Sequence, residues 1–507
     1  MDITGDLLIG FKSDSRADRP LHGVNPSTLE TLAPGFIIAT DADVAQAADL
    51  AWEAFLAYRQ ISLDKRADFL TAIAQNIVDL GDTLVARAVA ETGLTATRIE
   101  TERTRTVFQL RLFAEVVRAG EFLDRRVDPA LPHRQPIPKP ELRLRQIGLG
   151  PVAVFGSSNF PLAFSSAGGD TVSALAAGCP VIIKGHPAHP GTGELVARCI
   201  IDAARSTGMP DGVISFLMGG VETGKALVSH PRIKAVGFTG SRAGGLALCA
   251  LAAARPEPIP VYAEMSSVNP VLLLPAAIAN RSEEIAKGYV ASLTLGAGQF
   301  CTNPGIVLAL DGPELDGFIA HAGAALAQVE PAPMLTDRIH ATFQAGVAAI
   351  AKNPKVVAEA QSAAAQGPTR SEARIFGTTA EAFLADADLG EEIFGAASLV
   401  VRCRDVADII AVLDHMEGQL TATLHLDDAD FPLAQQLTPH LELKAGRLLV
   451  NGWPTNVEVS SAMVHGGPFP ATSDSRSTSV GTMAIRRFLR PVSYQNFPTA
   501  LLPDDLK

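Results

Sequence analysis

From residue 148 to residue 264, short apolar runs alternate with segments of helical spacing. The runs are VAVFG (152–156), PVIIK (180–184), GVISFL (212–217), IKAVGFTG (233–240) and IPVYAE (259–264). The helical segments between them are 165–177, 190–207, 222–229 and 241–254. This alternation predicts a parallel sheet whose strands are joined by crossover helices. The strands are apolar almost throughout, which is typical of a doubly wound, dinucleotide-type sheet covered on both faces.

The flanking regions predict further helices and a second α/β unit. Before the sheet, helices are expected over 41–58, with Asp43 as N-cap, over 63–92 and over 97–119. The five prolines of 129–140 exclude a helix there. After residue 264, we expect strands at 270–275, 305–310, 396–402 and 447–451, helices at 282–296 and in the alanine-rich segment 358–366, and an extended tail at 486–498.

Bulk composition excludes several classes of protein. A chain of 507 residues is expected to form more than one core. The net charge of −12 gives no basic footprint for nucleic acid. Five cysteines without a CxxC pair argue against a disulfide framework or a structural zinc site, and no metal is expected. Asp2 and Asp6 stand where a signal peptide needs positive charge, and no apolar run is long enough to span a membrane, so we expect a cytoplasmic protein.

Three residues are candidates for chemistry. Cys301, in GAGQFCTNPG, follows a predicted helix, and its thiolate could add to a carbonyl carbon; the commoner role of a cysteine is a small buried hydrophobe. Glu264 ends a buried strand and could act as a base, although a solvated strand-end charge is more common. Asn159, in VFGSSNFPLAF, could donate a hydrogen bond to an oxyanion or simply form a turn before Pro161.

The order of these motifs carries more information than any one of them. SNFPLAF, AAGCPVIIK, VGFTGS, AEMS, GQFCTNPG and EEIFG follow one another along the chain. Together they resemble the aldehyde dehydrogenase superfamily over about residues 24–498. The resemblance implies oxidation of an aldehyde to a carboxylic acid with NAD or NADP. Cys301 would be the nucleophile, Asn159 with a backbone N–H the oxyanion site, and Glu264 the base that activates water.

The same resemblance implies a cofactor site and a domain plan. Lys184 would reach the adenosine ribose, Glu392 with Phe394 nearby would hold the nicotinamide ribose, and Gly240, Ser241 and Gly245 would lie under the pyrophosphate at a helix N-terminus. The expected domains are an NAD(P)-binding Rossmann-like domain (1–128 and 148–264), an α/β catalytic domain (265–480) and a small β element for oligomerisation (129–147 and 481–507). A homodimer or homotetramer is implied.

The sequence departs from the family at two places. Many members have Glu-Leu-Gly-Gly where this chain has Glu264-Met265-Ser266-Ser267, so the serines are expected to alter how water or cofactor is held. NAD-preferring members often carry a glutamate three residues after the strand-end lysine, where this chain has Pro187. Without that carboxylate a 2′-phosphate is not repelled, which favours NADP, with Lys184 and His186 as cations; acceptance of both cofactors is the alternative.

GQFCTNPG, AEMSSVNP, KGHPAHPGT, HGGPFPAT and RFLRPVSYQNFP are similar to one branch of the family. That branch includes dehydrogenases of 2-oxoglutarate semialdehyde (2,5-dioxopentanoate) and of long-chain fatty aldehydes. A substrate carboxylate would need an arginine, and Arg111 and Arg476 are candidates, although either could be a surface residue. The alternatives are an NADP-linked aliphatic aldehyde dehydrogenase, an inactive homologue that binds a ligand, and a phosphorylating or acyl-CoA-forming relative, against which Glu264 argues.

Overall fold

The computed structural model describes residues 2–507, which form two large sheets and two small ones with helices on both faces of the large ones. The strands are β1 Leu7–Ile9, β2 Lys12–Asp14, β3 Leu21–Val24, β4 Thr31–Phe36, β5 Arg126–Asp128, β6 Leu142–Gly148, β7 Val152–Phe155, β8 Val181–Lys184, β9 Ile214–Leu217, β10 Ala235–Thr239, β11 Val261–Glu264, β12 Val271–Leu273, β13 Ile306–Leu310, β14 Val357–Gln361, β15 Arg374–Thr379, β16 Ala397–Cys403, β17 Gln419–His425, β18 Ala445–Val450 and β19 Leu489–Gln495.

The α-helices are α1 Asp41–Tyr58, α2 Leu63–Asp79, α3 Gly81–Thr92, α4 Ala96–Ala119, α5 Gly169–Ala176, α6 Pro190–Ser206, α7 Val221–Ser229, α8 Arg242–Ala253, α9 Pro275–Thr294, α10 Pro313–Leu326, α11 Asp337–Ala351, α12 Ala380–Leu384, α13 Val406–His415 and α14 Phe431–Glu442. In the described part of the chain, no helix combines the length and the apolar character that crossing a membrane requires.

The first large sheet has the strand order β11-β10-β7-β8-β9-β1-β2. Its first five strands are parallel, and β1 and β2 extend it as an antiparallel edge. Val181 and Ile183 of β8 pack into the core on one face, and Ile182 packs on the other. This alternation explains why the strands are apolar throughout, and it confirms the predicted doubly wound α/β fold.

The second large sheet has the order β14-β15-β16-β13-β12-β17-β18 and is parallel except for β14. It is also covered on both faces: Leu272 packs into one core, and Val271 and Leu273 pack into the other. The small sheet β19-β6-β5 is antiparallel, and β19 lies in the tail that was expected to be extended. Ion pairing of Arg145 on β6 with Asp505 fastens the chain end to this sheet.

Several local predictions were wrong. Thr40, not Asp43, is the N-cap of α1; the Asp43 carboxylate accepts a hydrogen bond from the Thr40 N–H in a capping box. The predicted helix 63–92 is interrupted at Gly81, which has a positive φ of 54°. The alanine-rich segment 358–366 does not form a helix, because its first residues form the edge strand β14 against β15.

The buried carboxylate of Asp430 fixes the beginning of α9, the helix that follows β12 of the second sheet. Asp430 is 4% exposed and accepts hydrogen bonds from the N–H groups of Ala276 (2.9 Å) and Ala277 (3.0 Å). It also accepts one from Asp427 N–H at 2.9 Å. A carboxylate at a helix N-terminus satisfies free N–H groups and interacts favourably with the helix dipole.

We therefore expect Asp430→Ala to destabilise the fold by about 1–3 kcal/mol, because three backbone donors, one buried and two partly buried, lose their acceptor. Thermal unfolding followed by circular dichroism measures the change as a lower midpoint. Asp428→Ala is the matched control, since Asp428 is an exposed neighbour. Equal midpoints for the two variants would contradict the proposed capping role.

Candidate active site

Cys301, His465 and Glu264 form a compact cluster between the two large sheets. His465 Nε2 lies 3.4 Å from Cys301 Sγ and 2.9 Å from Glu264 Oε1. Ser479 donates a hydrogen bond to the other oxygen of Glu264 at 2.7 Å. Glu264 and His465 are 3% and 1% exposed, and Cys301 is half-buried. A nucleophile and a carboxylate base are thus held next to each other, with water largely excluded from the base.

Burial and charge shift the pKa values of this pair in opposite directions. Burial, and then the negative charge of Glu264, raise the pKa of the Cys301 thiol well above its ordinary range. Burial also acts to raise the pKa of Glu264, but the charge and hydrogen bond of His465, together with Ser479, outweigh it and leave that pKa lowered. The resting pair is therefore a neutral thiol beside a carboxylate that can accept its proton.

The backbone of the segment that carries Cys301 is held in place by the side chain of Asn269. The Asn269 amide donates hydrogen bonds to the carbonyl oxygens of Cys301 and Asn303, both at 2.9 Å. Asn269 is fully buried in the left-handed region at φ 48°, which asparagine tolerates better than most residues. Ser267 donates to the Asn269 side-chain oxygen at 2.8 Å and accepts from Leu420 N–H at 3.0 Å. Ser267 thus links the Asn269 side chain to the backbone of β17, and its expected effect on water or cofactor stays a prediction.

Asn159 lies on the loop after β7 and faces the cysteine segment. Its side-chain amide donates to the carbonyl oxygen of Gln299, two residues before Cys301, at 3.0 Å. The loop is anchored by Glu102 of α4, which accepts hydrogen bonds from the N–H groups of Leu162 (2.9 Å) and Ala163 (2.8 Å). An amide donor is therefore held against the segment that leads into Cys301, and a role in binding an oxyanion stays a prediction.

The candidate cofactor residues of the first sheet lie at the carboxyl ends of its strands. Lys184 ends β8, and burial lowers its pKa to about 8. Gly240 follows β10, and its N–H donates to the Glu264 carbonyl oxygen at 3.1 Å. Ser241 caps α8, and a Cβ at Gly245 would lie 2.7 Å from Met265 Sδ. Gly245 is thus needed for packing of α8, whose N-terminus opens toward the same edge.

Glu392 and Phe394 enter the site from the second sheet. Both line a cleft whose wall also includes Ser267 and Phe300, next to the cysteine segment. Burial, with a further contribution from the charge of Glu264, raises the pKa of Glu392 to about 8. The residue as a whole is half-buried and lines the cleft.

His186 does not add a second cation beside Lys184. Burial lowers the pKa of His186 well below its ordinary range, and the neighbouring His189 and Lys184 lower it further. Its Nδ1 accepts a hydrogen bond from Ala188 N–H at 3.1 Å, and its ring stacks on His189. His186 therefore adds no positive charge in the protein without cofactor, and the expectation that Lys184 and His186 favour a 2′-phosphate stays a prediction.

The two arginines proposed for a substrate carboxylate are not brought to the cysteine. Arg111 is exposed on α4, and the Arg476 side chain is 89% exposed and paired with Asp474 at 3.1 Å. Two other arginines lie close enough to Cys301 for its negative charge to act to raise their pKa values. They are Arg105, on another face of α4, and Arg447 of β18. Arg98, Glu102 and Arg105 have the spacing of one helix face, and this spacing is the sequence signal that could have identified Arg105.

His465 was also missed by sequence reasoning, because a single histidine in the glycine-rich run VHGGP gives no local sign of its partners. Ligand atoms of Cys301, Glu264 and His465 all lie within 4.8 Å of one another, and within residues 2–507 no other trio of such side chains comes this close. Cysteine, histidine and carboxylate are zinc ligands, so this cluster could hold a metal ion, although no metal was expected from the sequence.

Comparison with known proteins identifies the family. The model of the family described as "Aldehyde dehydrogenase family" matches residues 12–468. The chain belongs to the aldehyde dehydrogenase family. Its members use NAD or NADP, and the cluster around Cys301 lies inside the matched region.

Two similar family members are named for one substrate. The chain is 57% identical to "Alpha-ketoglutaric semialdehyde dehydrogenase 2" of Azospirillum brasilense, covering 100% of this chain and 97% of that protein. It is 47% identical to an alpha-ketoglutaric semialdehyde dehydrogenase of Acinetobacter baylyi, over 96% and 93% of the two chains. Among solved structures, an aldehyde dehydrogenase C mutant of Pseudomonas syringae, in complex with NAD+ and octanal, matches with a TM-score of 0.84 at 19% identity, over 99% and 98% of the chains. That likeness concerns the fold.

The coupling between Glu264 and Cys301 predicts a measurable change in thiol reactivity. Because the charge of Glu264 raises the pKa of Cys301, Glu264→Gln should lower the pH at which Cys301 becomes reactive. Rates of alkylation by iodoacetamide over a pH series that extends into the alkaline range measure the midpoint in the enzyme without cofactor. Cys301→Ser gives the background from the other four cysteines. An unchanged midpoint would show that the carboxylate charge does not act on the thiol.

Proposed function

We propose that the protein oxidises α-ketoglutaric semialdehyde (2,5-dioxopentanoate) to 2-oxoglutarate through a thioester on Cys301. The chemistry is supported by the 2.9 Å and 3.4 Å contacts that place a buried carboxylate, an imidazole and the thiol in one cluster. The substrate is supported by the names of the two relatives at 57% and 47% identity.

In the first half-reaction, Cys301 Sγ forms a bond to the aldehyde carbon while its proton passes to Glu264. The pKa of the thiol is raised and that of the carboxyl is lowered, so the proton must be drawn off as the sulfur attacks. Asn159 Nδ2 exchanges its bond to the Gln299 carbonyl oxygen for one to the developing oxyanion. Bound NAD or NADP supplies the acceptor for the hydride that leaves this carbon, and a thioester on Cys301 remains.

In the second half-reaction, Glu264 releases the first proton to solvent and accepts another from water. The oxygen of that water forms a bond to the thioester carbon, the carbon–sulfur bond breaks, the leaving sulfur takes the proton from Glu264 to restore the thiol, and the carboxylic acid leaves. His465 and Ser479 hold the Glu264 carboxylate in place at 2.9 Å and 2.7 Å during both steps. His465 is a positioning residue, and its bond keeps the base ionised.

The residues at the carboxyl ends of β8 and β10 fit NAD or NADP. Lys184 is largely buried without an acidic partner among residues 2–507, which leaves a cation for the ribose or a 2′-phosphate. Ser241 and Gly240 stand at the N-terminus of α8 for the pyrophosphate, and Glu392 with Phe394 stands on the nicotinamide side. Because Pro187 replaces a carboxylate that would repel a phosphate, we favour NADP.

We also infer a homodimer or homotetramer, with 129–147 and 481–507 as the bridging element beside the cofactor domain (1–128 and 148–264) and the catalytic domain (265–480). The support is the sheet β19-β6-β5, whose surroundings expose Val127 (56%), Leu131 (48%) and Ile137 (68%). Exposed apolar side chains in one region mark a surface that another subunit can cover.

An aliphatic aldehyde is the second candidate substrate. Phe160 lies 5.2 Å from both Phe164 and Phe300, ring to ring, so an apolar wall stands beside Asn159 and Cys301. Arginine side chains lie over these rings, however, with Arg98 over Phe160 at 4.6 Å. An apolar wall backed by cations fits a short carboxylated aldehyde better than a long alkyl chain.

The test of the proposed function compares initial rates of NADPH and NADH formation with α-ketoglutaric semialdehyde and with hexanal. We expect kcat/KM for the semialdehyde to be at least about tenfold higher. Cys301→Ser should lose at least about a thousandfold with either substrate, because the nucleophile is removed. Cys249→Ser, at the other cysteine that is not fully buried, is the matched control. A preference for hexanal would refute the substrate and leave the thioester mechanism standing.

Lys184 predicts a pH dependence that separates the two cofactors. Its pKa of about 8 in the free enzyme means that the cation is lost as the pH rises through 8. Affinity for NADP should therefore fall between pH 7 and 9.5, while affinity for NAD changes less, because only NADP carries the 2′-phosphate. Quenching of intrinsic fluorescence measures both dissociation constants. Lys184→Met should remove the difference, and parallel curves for the two cofactors in the unaltered enzyme would contradict the assignment.

A further inference from the structure

Arg105 of α4 is a cation without a partner beside the nucleophile. Its two terminal guanidinium nitrogens, Nη1 and Nη2, are buried and make no hydrogen bond within residues 2–507. Among the residues that the structure describes, the side chain makes one hydrogen bond, a long one of 3.4 Å from Nε to the carbonyl oxygen of Val457. An arginine remains protonated in proteins, so these donors carry a charge that forms no ion pair within residues 2–507, although Glu102 is near enough to act on it. A buried charge of this kind is costly unless a ligand supplies the partner.

The neighbouring arginines are already satisfied by the protein. Arg98 forms an ion pair with Glu102 at 2.7 Å. Arg447 donates from both terminal nitrogens to the carbonyl oxygens of Asn456 and Pro454, and only its Nε is left without a partner. Arg105 is thus the one of the three whose pair of terminal donors is free to bind a carboxylate with two parallel hydrogen bonds.

The position of Arg105 connects it to the reacting atoms. Its guanidinium lies over the Phe164 ring at 5.3 Å from the ring centre, and that ring lies 6.0 Å from the ring of His465. His465 in turn is the residue next to Cys301 Sγ. One aromatic side chain therefore separates the free guanidinium from the catalytic cluster. The burial of Arg105 lowers its pKa, and the nearby Glu102 and Cys301 act against that change.

We propose that Arg105 binds the carboxylate at the far end of the substrate and so selects short aldehydes that end in a carboxylate. In α-ketoglutaric semialdehyde, three carbons separate the aldehyde carbon from the carboxylate, which matches a site one side chain away from the nucleophile. The inference rests on the proposed function for the identity of the substrate. It replaces Arg111 and Arg476, which lie at the surface.

The test is a substrate comparison with Arg105→Gln, Arg105→Lys and, as the matched control on the same helix, Arg111→Gln. Arg105→Gln should raise KM for α-ketoglutaric semialdehyde roughly ten- to a hundredfold, the value of a hydrogen-bonded charge, and leave KM for pentanal unchanged. Arg105→Lys should recover part of the loss, because it keeps the charge and loses the paired donors. Arg111→Gln should behave like the unaltered enzyme.

Activity toward pentanal also shows that each variant is folded. Equal losses with the charged and the neutral aldehyde would overturn the proposal, because Arg105 would then act only by holding the 457 segment. The same selective loss in Arg111→Gln would overturn it as well.

Protection of Cys301 separates this proposal from the proposed function. In the unaltered enzyme, 2-oxoglutarate should slow alkylation of Cys301 by iodoacetamide, and Arg105→Gln should need at least about tenfold more 2-oxoglutarate for the same protection. If the enzyme does not oxidise the semialdehyde, the proposed function fails, yet selective loss of protection in Arg105→Gln would still support a carboxylate site. Equal protection in the two proteins would overturn it.

Discussion

The geometry of the site depends on the buried side chain of Asn269. This residue lies in the short connection between β11 of the first sheet and β12 of the second, and its amide holds the carbonyl oxygens of Cys301 and Asn303. Gln419 of β17 accepts hydrogen bonds from the N–H groups of Val268 (2.8 Å) and Asn269 (3.0 Å), so the connection itself cannot shift. The base at the end of one sheet and the nucleophile before a strand of the other therefore share one rigid support.

The parallel strands were predictable because they are apolar and lie between helices of ordinary length. The structure confirms all five runs between residues 152 and 264 as strands. It also contains strands that no local pattern indicates. Leu8 of β1 pairs with Phe216 of β9, and only this distant pairing makes the first residues an edge of the sheet. Likewise, segment 358–366 begins with the edge strand β14, because pairing with β15 outweighs the helix preference of alanine.

For the site, the structure places the predicted residues Cys301 and Glu264 in one cluster and Asn159 against the segment before Cys301, whereas the residues that support them were not predictable. His465 lies 201 positions from Glu264 and touches it only through the fold. Arg105 and Arg111 lie on different faces of α4, and only the face of Arg105 turns toward the site. Long-range contacts and the facing of a helix decide which polar residues reach a site, and single motifs contain neither.

The charged groups around Cys301 act on the pKa values of the site in opposite directions. Two carboxylates, Glu264 and Glu392, lie close enough for the charge of the first to raise the pKa of the second. Two guanidinium groups, those of Arg105 and Arg447, interact with Cys301 and favour its ionised form, but burial and Glu264 outweigh them and keep the thiol neutral. If the substrate carboxylate pairs with Arg105, as proposed, it therefore removes part of the stabilisation that the guanidinium groups give to the ionised form of Cys301. In the proposed mechanism, transfer of the thiol proton to Glu264 then occurs together with attack, since the thiolate is not stored beforehand.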